Sequence, residues 1–108
     1  MNIENLNDMN KIPKRFHVGG QDVEVHILER IENDNLGNCC LASGIVEVAS
    51  KFNGKDQSDS SKLNTFYHEL THAILDTMGE NELSTNEKFV TTFSGFLTEA
   101  VRSFEYGE

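Results

Sequence analysis

Residues 68–72 read His-Glu-Leu-Thr-His. On a helix, side chains four positions apart project from one face, so the imidazoles of His68 and His72 can reach a single metal ion. Glu69 sits beside that face, where its carboxylate can work on water without filling a coordination position. Two imidazoles on a divalent ion and a neighbouring carboxylate support metal-assisted hydrolysis, with zinc the expected ion and Glu69 the expected general base.

The surrounding sequence supplies a helix to carry these groups. Leu63, Phe66, Tyr67, Leu70, Ala73, Ile74 and Met78 recur at helical spacing and form one apolar stripe. At about 100° per residue, His68 and His72 fall opposite that stripe and Glu69 lies at its flank. One side of the helix is therefore expected in a core and the other at a cleft. Asp59 or Ser60 is placed to cap its start, and Gly79 to end it in a left-handed conformation. Tyr67 projects with the apolar stripe and reads as packing, so no oxyanion partner is assigned.

A catalytic zinc takes three protein ligands and leaves the fourth position for water. The acidic candidates downstream are Asp76, Glu80, Glu82, Glu87 and Glu99. Glu87 opens a second helical pattern whose apolar seam is Phe89, Val90, Phe93, Phe96, Leu97, Ala100, Val101 and Phe104. If that seam packs on the first helix, the Glu87 carboxylate reaches the histidines. Asp76 shares the histidines' own helix and is too close in sequence; Glu80 and Glu82 lie in the connection and stay open. The competing reading of Glu87 is a capping box, Ser84-Thr85-Asn86-Glu87, in which the glutamate only satisfies a helix-end amide. Because the histidine pair has no better-placed partner, Glu87 is favoured as the ligand.

The run His68-Glu69-Leu70-Thr71-His72-Ala73, with Asn86-Glu87 and Phe93 downstream, resembles the gluzincin metallopeptidases, including the thermolysin family. The stretch Glu87-x-x-Val90-x-x-Phe93-Ser94-x-x-Leu97 is similar to the second helix of small IrrE/ImmA-like metallopeptidases of bacteria, phages and mobile elements. The resemblance covers about residues 63–97 and implies a minimal zincin-like domain holding Zn2+ through His68, His72 and Glu87. It also implies a peptide or protein substrate. In the thermolysin pattern an aspartate four residues beyond the ligand glutamate orients a histidine. Thr91 stands there in this chain, and Asp76, four residues beyond His72, is the other candidate to take a histidine N–H. The spacing between the two motifs is shorter than in thermolysin, which points to the compact relatives.

The first half of the chain reads as sheet. Arg15–Val18 and Val23–Ile27 alternate on either side of Gly19-Gly20, a hairpin signal. Residues 39–42 and 45–49 flank Ser43-Gly44 and suggest a second hairpin, with 45–49 as an exposed edge able to align an extended substrate. Residues 51–61 read as loop, and 1–12 as a flexible, asparagine-rich arm. His17 and His26 reach the metal only if the sheet folds over it; their ordinary reading is as half-exposed strand residues. The adjacent Cys39 and Cys40 lack metal-ligand spacing and read as small, buried, reduced residues. The expected fold class is α+β: antiparallel hairpins packed on two C-terminal helices, in one domain spanning 13–108.

With 18 acidic against 9 basic residues and a net charge of −9, the chain lacks the basic footprint that nucleic acid requires. No apolar run is long enough for a membrane span, and Met1–Asn5 carries no signal segment. The expectation is a cytoplasmic zinc peptidase. The alternatives are a non-catalytic, zinc-stabilised protein-binding module, which would have a closed fourth position, and a metal-free structural protein.

Overall fold

The computed structural model describes residues 11–107; the proposed arm falls largely on residues outside that range. Ile12, assigned from sequence to the arm, packs against the hydrophobic core. Strands β1 (Arg15–Val18) and β2 (Gln21–Leu28) form the expected hairpin. Gly19 and Gly20 carry φ of 59° and 79°, the left-handed pair that a two-residue type I′ turn needs. Strands β3 (Gly37–Cys40) and β4 (Ile45–Ala49) form the second hairpin, with Gly44 at φ 68°.

The two hairpins join through a parallel pairing of β2 with β4, giving a mixed sheet in the order β1-β2-β4-β3. A purely antiparallel arrangement is thereby corrected. Turn residues specify pairing within a hairpin, whereas the edge by which two hairpins meet is decided when both cover a common helix. The same order overturns the expected edge at 45–49: β4 is internal, with Val46 and Val48 fully buried, and β3 is the edge. The stretch expected as loop holds a small hairpin, β5 (Lys51–Phe52) with β6 (Lys55–Asp56). Its turn is Asn53-Gly54, at φ 51° and 77°, a further type I′ pair.

Helix α1 (Asp59–Met78) follows at once. Its cap is Ser58 rather than Asp59 or Ser60: the Ser58 hydroxyl accepts from the Ser61 amide. Gly79 closes the helix at φ 78° as expected. Leu63, Phe66 and Ala73 are buried, and Phe66 joins Val23, Val46 and Val48 in the core, with Tyr67 and Leu70 beside it. Ile74 and Met78, at the far end of the stripe, extend beyond this cover and stay exposed. The short α2 (Asn81–Ser84) turns the chain into α3 (Glu87–Arg102).

The face that α3 buries differs from the expected one. Val90, Ser94 and Thr98 point inward, while Phe93 and Phe96 are 49% and 66% exposed. The last helix, α3, packs chiefly on α1 and more lightly on the short α2, so only a narrow stripe is covered. Small side chains there allow close approach, and their hydroxyls are satisfied within the helix, Thr98 donating to the Ser94 carbonyl at 2.7 Å. The fold class is α+β, a four-stranded mixed sheet and a small hairpin with helices packed on one side. Among the described residues no helix is long and apolar enough to cross a membrane.

Candidate metal centre

Helix α1 presents His68 and His72 one turn apart, their rings 5.0 Å between centroids. The turn through α2 brings the start of α3 back over them. Glu87 then reaches both: its Oε2 lies 3.4 Å from His68 Nε2 and its Oε1 lies 3.4 Å from His72 Nε2. One ligand atom from each residue falls within 4.8 Å of the other two, and among the described residues no other such group is formed. Ligand atoms held about 2.0–2.1 Å from a tetrahedral ion stand about 3.3–3.4 Å apart; the two 3.4 Å separations run to different Glu87 oxygens, so the cluster is close enough to hold a metal ion without defining its geometry. Burial holds His68 below its usual pKa, partly offset by the Glu87 charge, which keeps the imidazole in its neutral, ligating form.

The capping-box role for Glu87 is not what holds the start of α3. Asn86 caps it, its Oδ1 accepting from the Phe89 amide at 3.0 Å. Glu87 is the first helical residue, half-turned to the histidines. Ser84, the serine of the supposed box, is buried and its hydroxyl lies 3.1 Å from His72 Nδ1. This contact fixes the ring so that Nε2 faces Glu87. Sequence reasoning missed it, because Ser84 is local to a cap in sequence and meets His72 only when α2 folds under α1.

Glu69 is 7% exposed, and burial first, then the Glu87 charge, pushes its carboxyl up to about 7. It stands against β3, which closes the other wall of a cavity of about 630 Å3. Leu36, Gly37, Asn38 and Cys39 form that wall, facing His68, Glu69, His72 and Glu87. Asp76 and Thr91 line the same cavity, while the histidine hydrogen bond present goes to Ser84. Glu80 and Glu82 are exposed at α2, outside the cluster.

The remaining candidates sit elsewhere. His17 bonds Asp22 at 2.8 Å and His26 approaches Glu24 at 3.4 Å. Both alternate with core-facing Phe16 and Val25, so they occupy the sheet face turned away from α1. Cys40 is exposed rather than buried; Cys39 is half-buried, and burial raises its thiol to about 12. Tyr67 packs on Phe66, edge to face at 5.3 Å. No protein-family model matches this chain, and no curated protein or solved structure matches it.

Proposed function

We propose that this chain is a zinc-dependent peptidase. The observation that carries the reading is the convergence of His68, His72 and Glu87 within 4.8 Å, beside a buried carboxyl, Glu69, that is not one of them. Zinc, when bound, would bring the pKa of its water toward about 7 and polarise a carbonyl. Glu69 takes a proton from water at its carboxylate and returns it to the leaving amine. Its raised pKa suits a group that must accept and release a proton near neutrality. Ser84 holds His72 in orientation, and the open cavity leaves room for a substrate beside the three ligands.

A peptide is favoured as substrate by β3. That strand pairs with β4 on one side and borders the cavity on the other, so an extended chain can add to it. Antiparallel addition is the commoner and slightly stronger pairing. Both cysteines are free thiols, which supports placing the protein in the reducing cytoplasm.

The test is elemental analysis of protein purified without chelator or histidine tag, followed by hydrolysis of a degenerate peptide library. The reading expects close to one zinc per chain, cleavage by the wild type, and zinc without cleavage in Glu69→Gln. Zinc with no cleavage by the wild type would leave the non-catalytic, zinc-stabilised module. Absence of zinc after reconstitution would refute both.

A further inference from the structure

A second cavity, about 730 Å3, continues from the metal cavity along α1 and α3. Leu36, Asn64 and Thr65 line both. Two polar side chains lining it, Arg102 and Gln57, carry groups without a partner among the described residues. Arg102 presents a guanidinium with no side-chain partner among the described residues. The Gln57 amide nitrogen is buried at the cavity wall without a hydrogen-bond partner, an unsatisfied donor that an acceptor entering there would serve. Ser60 and Ser61 add hydroxyls from the first turn of α1, where the helix end also favours negative charge.

We propose that this cavity is a subsite for a carboxylate of the peptide, held by Arg102 with Gln57; the proposal rests on the peptidase reading. A guanidinium matches a carboxylate through paired N–H donors. Glu99 shares the wall but forms no ion pair with Arg102, so the guanidinium is left to the ligand.

The fold also fixes where on the substrate that carboxylate lies. Gly37 abuts Thr65 and Glu69, and Leu36 borders both cavities, so β3 runs the same way as α1, away from the second cavity. A peptide antiparallel to β3 therefore sends its C-terminal side into the second cavity. Arg102 is fifteen residues beyond Glu87 on α3, roughly 22 Å along the axis. Its side chain leans back toward Glu87. At about 3.3 Å per extended residue, the anchored carboxylate falls roughly five residues C-terminal to the cut. An acidic side chain or the peptide's own C-terminus supplies the same chemistry.

Zinc-loaded Glu69→Gln protein, immobilised, is used to select from two degenerate dodecapeptide libraries, one with free and one with amidated C-termini. Enrichment of Asp and Glu in both libraries identifies the side chain as the source. Enrichment of free over amidated peptides identifies the C-terminus. Either is expected at on the order of tenfold, the scale of one charge-assisted hydrogen bond, and is expected to vanish in Arg102→Gln. Lys88→Gln, which removes the same charge outside the cavity, should keep it. Selection without carboxylate preference, loss in Lys88→Gln as well, persistence in Arg102→Gln, or no retention of any peptide would each overturn the subsite. Offering the retained peptides to wild-type protein separates the two ideas. Carboxylate-dependent retention without cleavage would sink the peptidase reading alone; cleavage indifferent to the carboxylate would sink the subsite alone.

Discussion

A β-carbon on Gly37 would stand 2.7 Å from Glu69 Oε2 and 2.6 Å from Thr65 Cγ2. The edge strand thus approaches the histidine-bearing helix as closely as a backbone without a side chain allows. That approach buries Glu69, raises its pKa and sets the width of the cavity between β3 and the cluster of His68, His72 and Glu87. Gly37→Ala must push strand from helix or displace the Glu69 carboxyl. We expect a loss of roughly 1–3 kcal/mol, the usual cost of overpacking, and a fall in kcat at near-normal zinc content. Thermal melts and metal analysis check this; unchanged stability and turnover would show that the strand is free to shift.

Ser84→Ala removes the hydroxyl that orients His72 without touching a ligand. Zinc affinity should fall about 10–100-fold, as for other groups that hold a metal-bound histidine in place. Competition against a chromophoric chelator measures it. Equal affinity in the two proteins would mean that His72 needs no partner at Nδ1.

Glu69 makes the metal-free protein sensitive to pH. Its carboxyl rises from 4.5 to about 7 on folding, so between those values the folded chain holds more protons than the unfolded one. Stability is therefore lost as pH increases through that window, by about 3 kcal/mol at roughly 1.4 kcal/mol per pKa unit. Metal-free Glu69→Gln should melt above the wild type at pH 8 and close to it at pH 4.5. A constant difference across that range would count against a buried, raised carboxyl.

The adjacent cysteines should react unequally. Hydrogen bonding from Ser43 holds the exposed Cys40 thiol below its usual pKa, while burial raises Cys39 to about 12. Since the thiolate is the nucleophile, iodoacetamide at pH 8 should modify Cys40 well before Cys39, as read by peptide mass mapping. Equal labelling would indicate that β3 opens readily from α1.

The face that α3 buries can be checked directly. Val90 is fully buried and Phe96 is 66% exposed, so Val90→Ala should cost on the order of 2 kcal/mol. Phe96→Ser should stay within about 0.5 kcal/mol. The reverse order in denaturant melts would restore the seam that hydrophobicity alone suggests.

That seam shows where sequence reasoning stops. Periodicity marks a helix opening at Glu87 with a seam running to Phe104, and α3 does start there but ends at Arg102; spacing is a local property, but it ranks faces by apolarity. Which face is buried depends on the partner. A single helix, α1, accepts the small Ser94 and Thr98 more closely than it would accept phenylalanine. The same distinction runs through the sheet: Gly19-Gly20 and Ser43-Gly44 announce their hairpins locally, whereas nothing local specifies that β2 and β4 pair in parallel and leave β3 at the edge.

At the site, helical spacing alone requires that His68 and His72 share a helix face with Glu69 beside them. The sequence also marked Glu87 as the favoured partner. Chain reversal and sheet order are what bring Glu87 to both imidazoles at 3.4 Å, turn Ser84 to His72 rather than to a cap, and set Gly37 over Glu69. Each of these joins residues brought together by chain reversal or sheet order, and a contact of that kind leaves no periodic trace in the sequence.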